Sequence, residues 1–218
     1  MKYLLNILFL LLTTFTFGQI KINTTLKKQL DSIKILDQKY RVQLMQLRDS
    51  IKKDSIVKSL NIPENQVESH LWRLQNSIDS SNVIFIENVF KTYGYPGKSL
   101  VDTPTNEVAW YIIQHSDKIH QYINLIREAG KRKDLPFKLV AMMEDRHLMD
   151  QGKEQIYGTQ GTCRPLKTGK TECFIWPVKD PKTLNKRRKK TGFDTTIEEY
   201  DRKLMNIEYK IILLSEIK

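Results

Sequence analysis

The sequence predicts a mainly α-helical domain with a long N-terminal helix and one small disulfide-stapled β-hairpin. Three observations lead there. Apolar residues recur at three- and four-residue steps through most of the chain. Proline, glycine and capping residues punctuate those runs. The two cysteines flank a short turn-forming segment. A length of 218 residues suits one domain, or one domain plus an appendage. At 40% hydrophobic the chain is too apolar for intrinsic disorder, and two cysteines are too few for a disulfide scaffold.

Taking the elements in order, Leu26, Leu30, Ile33, Leu36, Tyr40, Leu44, Leu47 and Ile51 predict one helix over 24–58. The stripe lasts barely four heptads without regular flanking charges, so it reads as packing on the domain rather than as a coiled coil. Asn61-Ile62-Pro63 ends it, and a second helix is expected from Val67 to Ile78. Residues 82–93 are strand-like in composition, but Val83, Ile86, Phe90 and Tyr93 fit a helix stopped by Gly94 and Pro96. Thr103-Pro104 opens a helix expected over 104–130, and Asp134 with Pro136 opens another ending near Gly152. Asp180-Pro181 starts a short helix closed by Gly192. Thr196-Ile197-Glu198-Glu199 is a capping box for a last helix expected to reach the C-terminus. The expected division is a segment over 19–78 packing on a core of 79–218.

The first 18 residues read as an address. Lys2, the apolar run from Leu4, and small residues at Thr16 and Gly18 form a secretory signal peptide with cleavage after Gly18. The run is about 15 residues, short of the roughly 20 that span a bilayer, and Asn6 interrupts it. The expectation is an exported protein, periplasmic or extracellular, with no integral span after cleavage. Removing that segment takes one lysine and lowers the formal charge from +11 to +10.

Export gives Cys163 and Cys173 an oxidising setting. The intervening segment folds symmetrically about Thr168, with Gly169 where a left-handed residue is needed, in a hairpin spanning about 160–176. That register sets the two cysteines opposite each other, within reach of a cross-strand disulfide.

Polar residues on apolar faces mark the candidate chemistry. His115 lies in the stripe Val108, Ile112, Ile119, Tyr122, Ile126. Arg146 lies in the stripe Leu135, Leu139, Met142, Met149, with Asp145 on its flank. A charge facing a core needs partners. Two readings follow. One is a satisfied interior network; the other is a cleft in which His115 is an acid or base oriented by Asp145, with Arg146 or a later arginine binding an anion. The loop Gln155-Ile-Tyr157-Gly-Thr159-Gln160 adds donors and acceptors suited to a ligand or to tying off a helix. No nucleotide-binding, zinc or nucleophile-elbow motif is present, and His115 and His120 do not share a helix face, so no metal or cofactor is expected. The basic run Lys186–Lys190 reads as a solvated face, with anionic envelope polymers as the alternative and no role for nucleic acid.

Read in order, Asp37-Gln38-x-x-Arg41, Tyr93-Gly-Tyr-Pro-Gly97, Gln114-His-Ser-Asp117, Asp145-Arg146, Gln155-x-Tyr-Gly-Thr-Gln160 and Asn185-x-Arg187-Arg188 resemble the bacterial domain-of-unknown-function family DUF6624. That family is frequent in secreted and lipoprotein-like proteins of Bacteroidetes. The resemblance spans about 37–200 and implies a helical domain without an assigned activity. It implies site roles for Asp37, Arg41, Gln114, Arg187 and Arg188 beside the residues already singled out. Ser116 departs from the family's usual alanine, and Tyr95 from its frequent tryptophan. The functional expectation is a domain with a polar His/Asp/Arg cleft acting by acid–base chemistry on an envelope-related ligand, small molecule or polymer. The alternative is a non-catalytic envelope binding or adaptor module. Nothing in the sequence specifies the oligomeric state.

Overall fold

The computed structural model describes residues 21–206 and 208–218. The expected signal peptide lies outside them. Helix α1 (Thr24–Gln46) packs along α3 (Glu64–Tyr93), with α2 (Ser50–Leu60) turning back between them at one end. After a single turn, α4 (Lys98–Val101), the chain makes α5 (Val108–Gln114), α6 (Ile119–Lys131) and α7 (Phe137–Asp150), and α6 and α7 pair. The hairpin β1 (Gly161–Pro165) and β2 (Thr171–Ile175) follows, then α8 (Leu184–Thr191) and α9 (Ile197–Met205).

The main core lies between α1, α3, α5, α6 and α7, where Leu30, Ile86, Ile113 and Ile126 are fully buried. Each such side chain contributes about 1.5–3 kcal/mol relative to exposure. Trp110 fills its centre and donates its indole N–H to the Leu139 carbonyl at 2.8 Å. A smaller cluster of Ile56, Val67 and Leu71 closes the α2 end, and Leu166, Phe174 and Trp176 form another beneath the hairpin.

The hairpin has the expected register, Cys163 opposite Cys173, and the two are bonded. Gly169 takes φ +88° at its turn. The capping box also forms: Thr196 Oγ1 accepts from the Glu199 N–H, and Glu199 Oε2 accepts from the Thr196 N–H. Gly192 ends α8 at φ +90°.

Four helix boundaries differ from expectation. The helix over 24–58 is two, because Asp49 caps a new one by accepting from the Ile51 and Lys52 N–H groups. The stripe carries on through the break because α1 and α2 share a cluster containing Leu44, Leu47 and Ile56. The helices expected over 67–78 and 82–93 are one, α3, with no breaker between them. The 78/79 division therefore falls within α3. The helix over 104–130 opens as a 3-10 turn and breaks at His115, where Ser116 Oγ donates to the Ile113 carbonyl and accepts from the Lys118 N–H. The last helix stops at Asn206, at φ +55°, and the tail beyond runs back to the hairpin. There Lys167 N–H donates to the Glu216 carbonyl and Lys218 N–H to that of Pro165. Among the described residues no helix is long and apolar enough to cross a membrane.

Candidate functional site

The polar residues read from the sequence fall into two groups, divided at consecutive positions of α7. Asp145 belongs to the first and Arg146 to the second.

Asp145 is fully buried and turned to the loop after α7. Its carboxylate accepts from the N–H groups of Ile156 (2.7 Å), Tyr157 (3.0 Å) and Thr159 (3.0 Å), and from the Thr159 hydroxyl (3.0 Å). Burial pushes this carboxyl above the usual range, and the hydrogen bonds from Tyr157, Ile156 and Thr159 oppose the rise. Gln155, also fully buried, braces the loop from within. Its Nε2 donates to the carbonyls of Gln160 and Trp176, and its Oε1 accepts from the N–H groups of Thr159 and Gln160.

Arginines hold the loop's carbonyls. Arg187 donates to Ile156 O at 3.0 Å, and Arg188, fully buried, to Tyr157 O at 2.8 Å and Thr195 O at 3.0 Å. Arg188 is stacked against Phe193 and Tyr200, at 4.8 and 4.9 Å from the ring centroids. Burial lowers the proton affinity of its guanidinium, opposed by Tyr200, Asp145 and Glu198. Tyr200 adds a hydroxyl donated to Thr159 O at 2.9 Å. Gly158 takes φ +67°, a conformation strained for any residue with a Cβ, and a Cβ there would also push on the Ile197 side-chain tip at 2.7 Å. Thus the two arginines of the basic run turn inward to the loop, while Lys186, Lys189 and Lys190 are exposed.

The second group lies in the seam between α1, α3 and the end of α5. Asp37 is buried on α1, and its Oδ1 lies 3.4 Å from His115 Nδ1. Its Oδ2 accepts from Gln38 Nε2 at 2.7 Å. Arg41, one turn on, holds both oxygens of Asp79 on Nη2 at 2.6 Å and lies 3.7 Å from Asp37 Oδ1. Gln75 Nε2 donates to Asp79 Oδ1 at 2.7 Å and to the Asp37 carbonyl at 3.1 Å. Arg146 reaches this end of α5 from α7, donating Nη1 to the Gln114 carbonyl at 2.6 Å. Three buried atoms here, Arg41 Nε, Gln75 Oε1 and Asn82 Nδ2, have no partner among the described residues.

The structure therefore brings His115 together with Asp37 and Arg41, and brings Asp145 together with Gln155, Tyr157, Thr159, Gln160, Arg187 and Arg188. The carboxylate in contact with His115 is Asp37. Gln75 and Asp79 were not singled out from sequence, although a signal existed. The buried face of α3 runs Val67, Leu71, Gln75, Asn82, Ile86, with amides at two positions of an apolar stripe. Among the described residues no three His, Cys, Asp or Glu side chains converge to hold a metal ion.

Comparison with curated proteins and with solved structures found no match for the chain. A family model does match, over residues 45–212, which takes in His115, both groups' α7 residues and the loop but stops short of Asp37 and Arg41. Over that span, which is most of its length, the chain belongs to DUF6624, a family of unknown function.

Proposed function

We propose that this is an exported envelope domain that binds an anionic ligand beside His115, with His115 as its proton-transfer group, Asp37 as the orienting carboxylate and Arg146 as the anion's counter-charge. The observation that carries this reading is the buried Asp37 carboxylate facing Nδ1 of a ring that is one-fifth exposed. A carboxylate on one ring nitrogen fixes the tautomer and leaves Nε2 to a ligand. Arg146 uses Nη1 on the carbonyl of the residue before His115, which holds its guanidinium near the ring with further N–H groups to offer. The disulfide supports an oxidising compartment. In this reading the Asp145 network is the support that keeps Arg146 and the loop in place.

Inorganic phosphate is the probe that tests it. Its addition to protein labelled at histidine is expected to shift the His115 ring signals saturably. R146Q should weaken that binding about tenfold or more through loss of a charge-assisted contact. H115Q should remove the proton-transfer group with little change in melting temperature, since the ring is not part of the sealed core. A saturable response absent from His115, or unchanged in R146Q, sinks the reading.

A further inference from the structure

The outer face of α8 carries charge that the protein leaves unanswered. Residues 179–191 hold seven cations against one carboxylate, Asp180. Arg187 and Arg188 turn inward to the loop, and Asp180 faces Arg187 at 3.7 Å. That leaves Lys179, Lys182, Lys186, Lys189 and Lys190, all exposed, with no hydrogen bond or ion pair to their ammonium groups among the described residues. Elsewhere Lys27, Lys53, Lys131 and Lys210 each face a carboxylate. Lys182, in the 3-10 turn Pro181–Thr183, leads straight into α8, and Lys186, Lys189 and Lys190 continue the row at three- and four-residue steps. Leu184 and Arg188 are buried on the opposite side of the helix, so the four lysines share one outward ridge. Like charges at these spacings weaken a helix. Lys189 and Lys190 suit the C-terminal end of its dipole, but Lys182 and Lys186 stand at the N-terminal end, where a cation is unfavourable. An anionic chain lying along the ridge relieves both repulsions.

We infer that this ridge is a docking surface for a linear acidic polysaccharide, whose carboxylates lie along the lysines of α8. Three observations select that partner. The arginines, whose planar fork reads a single anion, are turned inward, and the lysines left outside are compact point charges suited to repeated anions on a flexible chain. Among the described residues, no exposed large apolar side chain comes from 179–199, which leaves no anchor for a bilayer. Beside the ridge a cleft of about 720 Å³ is lined by Lys186, Lys189 and Phe193, giving a sugar ring room and an apolar surface to rest on. Asp194 and Glu199 line the same cleft from the start of α9 and keep the polymer's carboxylates on the lysine side. The ridge shares no residue with the His115 site.

Polygalacturonate is the probe, with neutral dextran as the blank. The protein should bind the first and not the second, and the binding should weaken about tenfold or more between about 20 and 200 mM salt. K182Q/K186Q/K189Q/K190Q should lose about tenfold or more of the low-salt affinity and most of the salt dependence, with the melting temperature held. K182Q/K186Q alone should give a smaller loss in the same direction. The control K28Q/K58Q/K91Q/K138Q removes the same charge from exposed lysines outside the ridge and should stay within about twofold of wild type. Equal loss in the two quadruple variants would mean that net charge alone attracts the polymer, and it overturns the ridge. So does wild-type binding that is absent or that survives high salt. Capture by vesicles of anionic phospholipid in preference to polygalacturonate overturns the polysaccharide in favour of a membrane. The ridge variant retains His115 and Arg146, so its phosphate response should match wild type, and the two sites stand or fall separately.

Discussion

The Gln155–Gln160 loop and the α1–α3–α5 seam are both polar, yet they treat their side chains differently. In the loop, charged and amide groups meet backbone: Asp145 takes N–H groups, Arg187 and Arg188 take carbonyls, and Gln155 takes both. In the seam, side chains meet one another as well as backbone, one Asp37 oxygen faces both His115 and Arg41, and among the described residues buried atoms of Arg41, Gln75 and Asn82 have no partner. A network closed on backbone has one arrangement and fixes it. One shared between side chains can exchange partners at small cost, as the proposed proton-transfer role of His115 requires. The difference separates the closed loop from the proposed site more sharply than residue type does, because both regions contain Asp, Arg and Gln.

The largest effect should come from opening the closed network. D145N places an amide N–H₂ where N–H and O–H donors already point, and about 3–5 kcal/mol of stability should be lost. Calorimetric unfolding checks it, and a loss below about 1 kcal/mol would remove the contrast between loop and seam. Next is the staple. The paired C163S/C173S change should cost about 2–3 kcal/mol by chemical denaturation, the value for so short a closed loop. Amide exchange should rise across the hairpin and its tail while the His115 ring signals stay in place.

The smallest effect has the opposite sign and probes an exception within the scaffold. Asp201 on α9 is fully buried, and neither carboxylate oxygen has a partner among the described residues. Burial raises its carboxyl above the ordinary range. A carboxyl raised in the folded state stabilises the fold below its unfolded value near 4, and that contribution fades as pH rises through the folded value. D201N should therefore stabilise the protein by about 1 kcal/mol at pH 7 and flatten the pH dependence of melting just above pH 4. Unchanged stability at neutral pH would mean that Asp201 is as well satisfied as Asp145.

Much of this was legible where one local rule acts alone. The Cys163–Cys173 register followed from symmetry about Thr168, the capping box from Thr196 and Glu199, and α7 from Pro136 at its start. Legibility failed where a stripe runs through a turn. Leu47 and Ile56 sit on either side of the α1–α2 break and pack into one cluster, so periodicity does not register it, whereas Asp49-Ser50 was the local mark. His115 belongs to the same class of error. It reads as mid-helix because Ile112 and Ile119 keep the period, but Ser116 closes the helix around it. Which carboxylate meets it is a tertiary matter: Asp37 is 78 residues away, and no spacing rule reaches that far. Of the seam's hidden half, Gln75 shows only as a polar residue on an apolar stripe, the signature already recognised at His115, and Asp79 lies one turn beyond it.

The hairpin tip has a consequence for the integrity of the chain. Lys167, Thr168, Gly169 and Lys170 are exposed between two cysteines that are covalently joined. A protease that cuts at either lysine opens a ring rather than severing a molecule. The halves remain one covalent body, and the tail, docked on Pro165 and Lys167, stays attached to the strand it covers. The most accessible basic turn of the hairpin is thus the place where cleavage separates least, until a reductant reaches the bond.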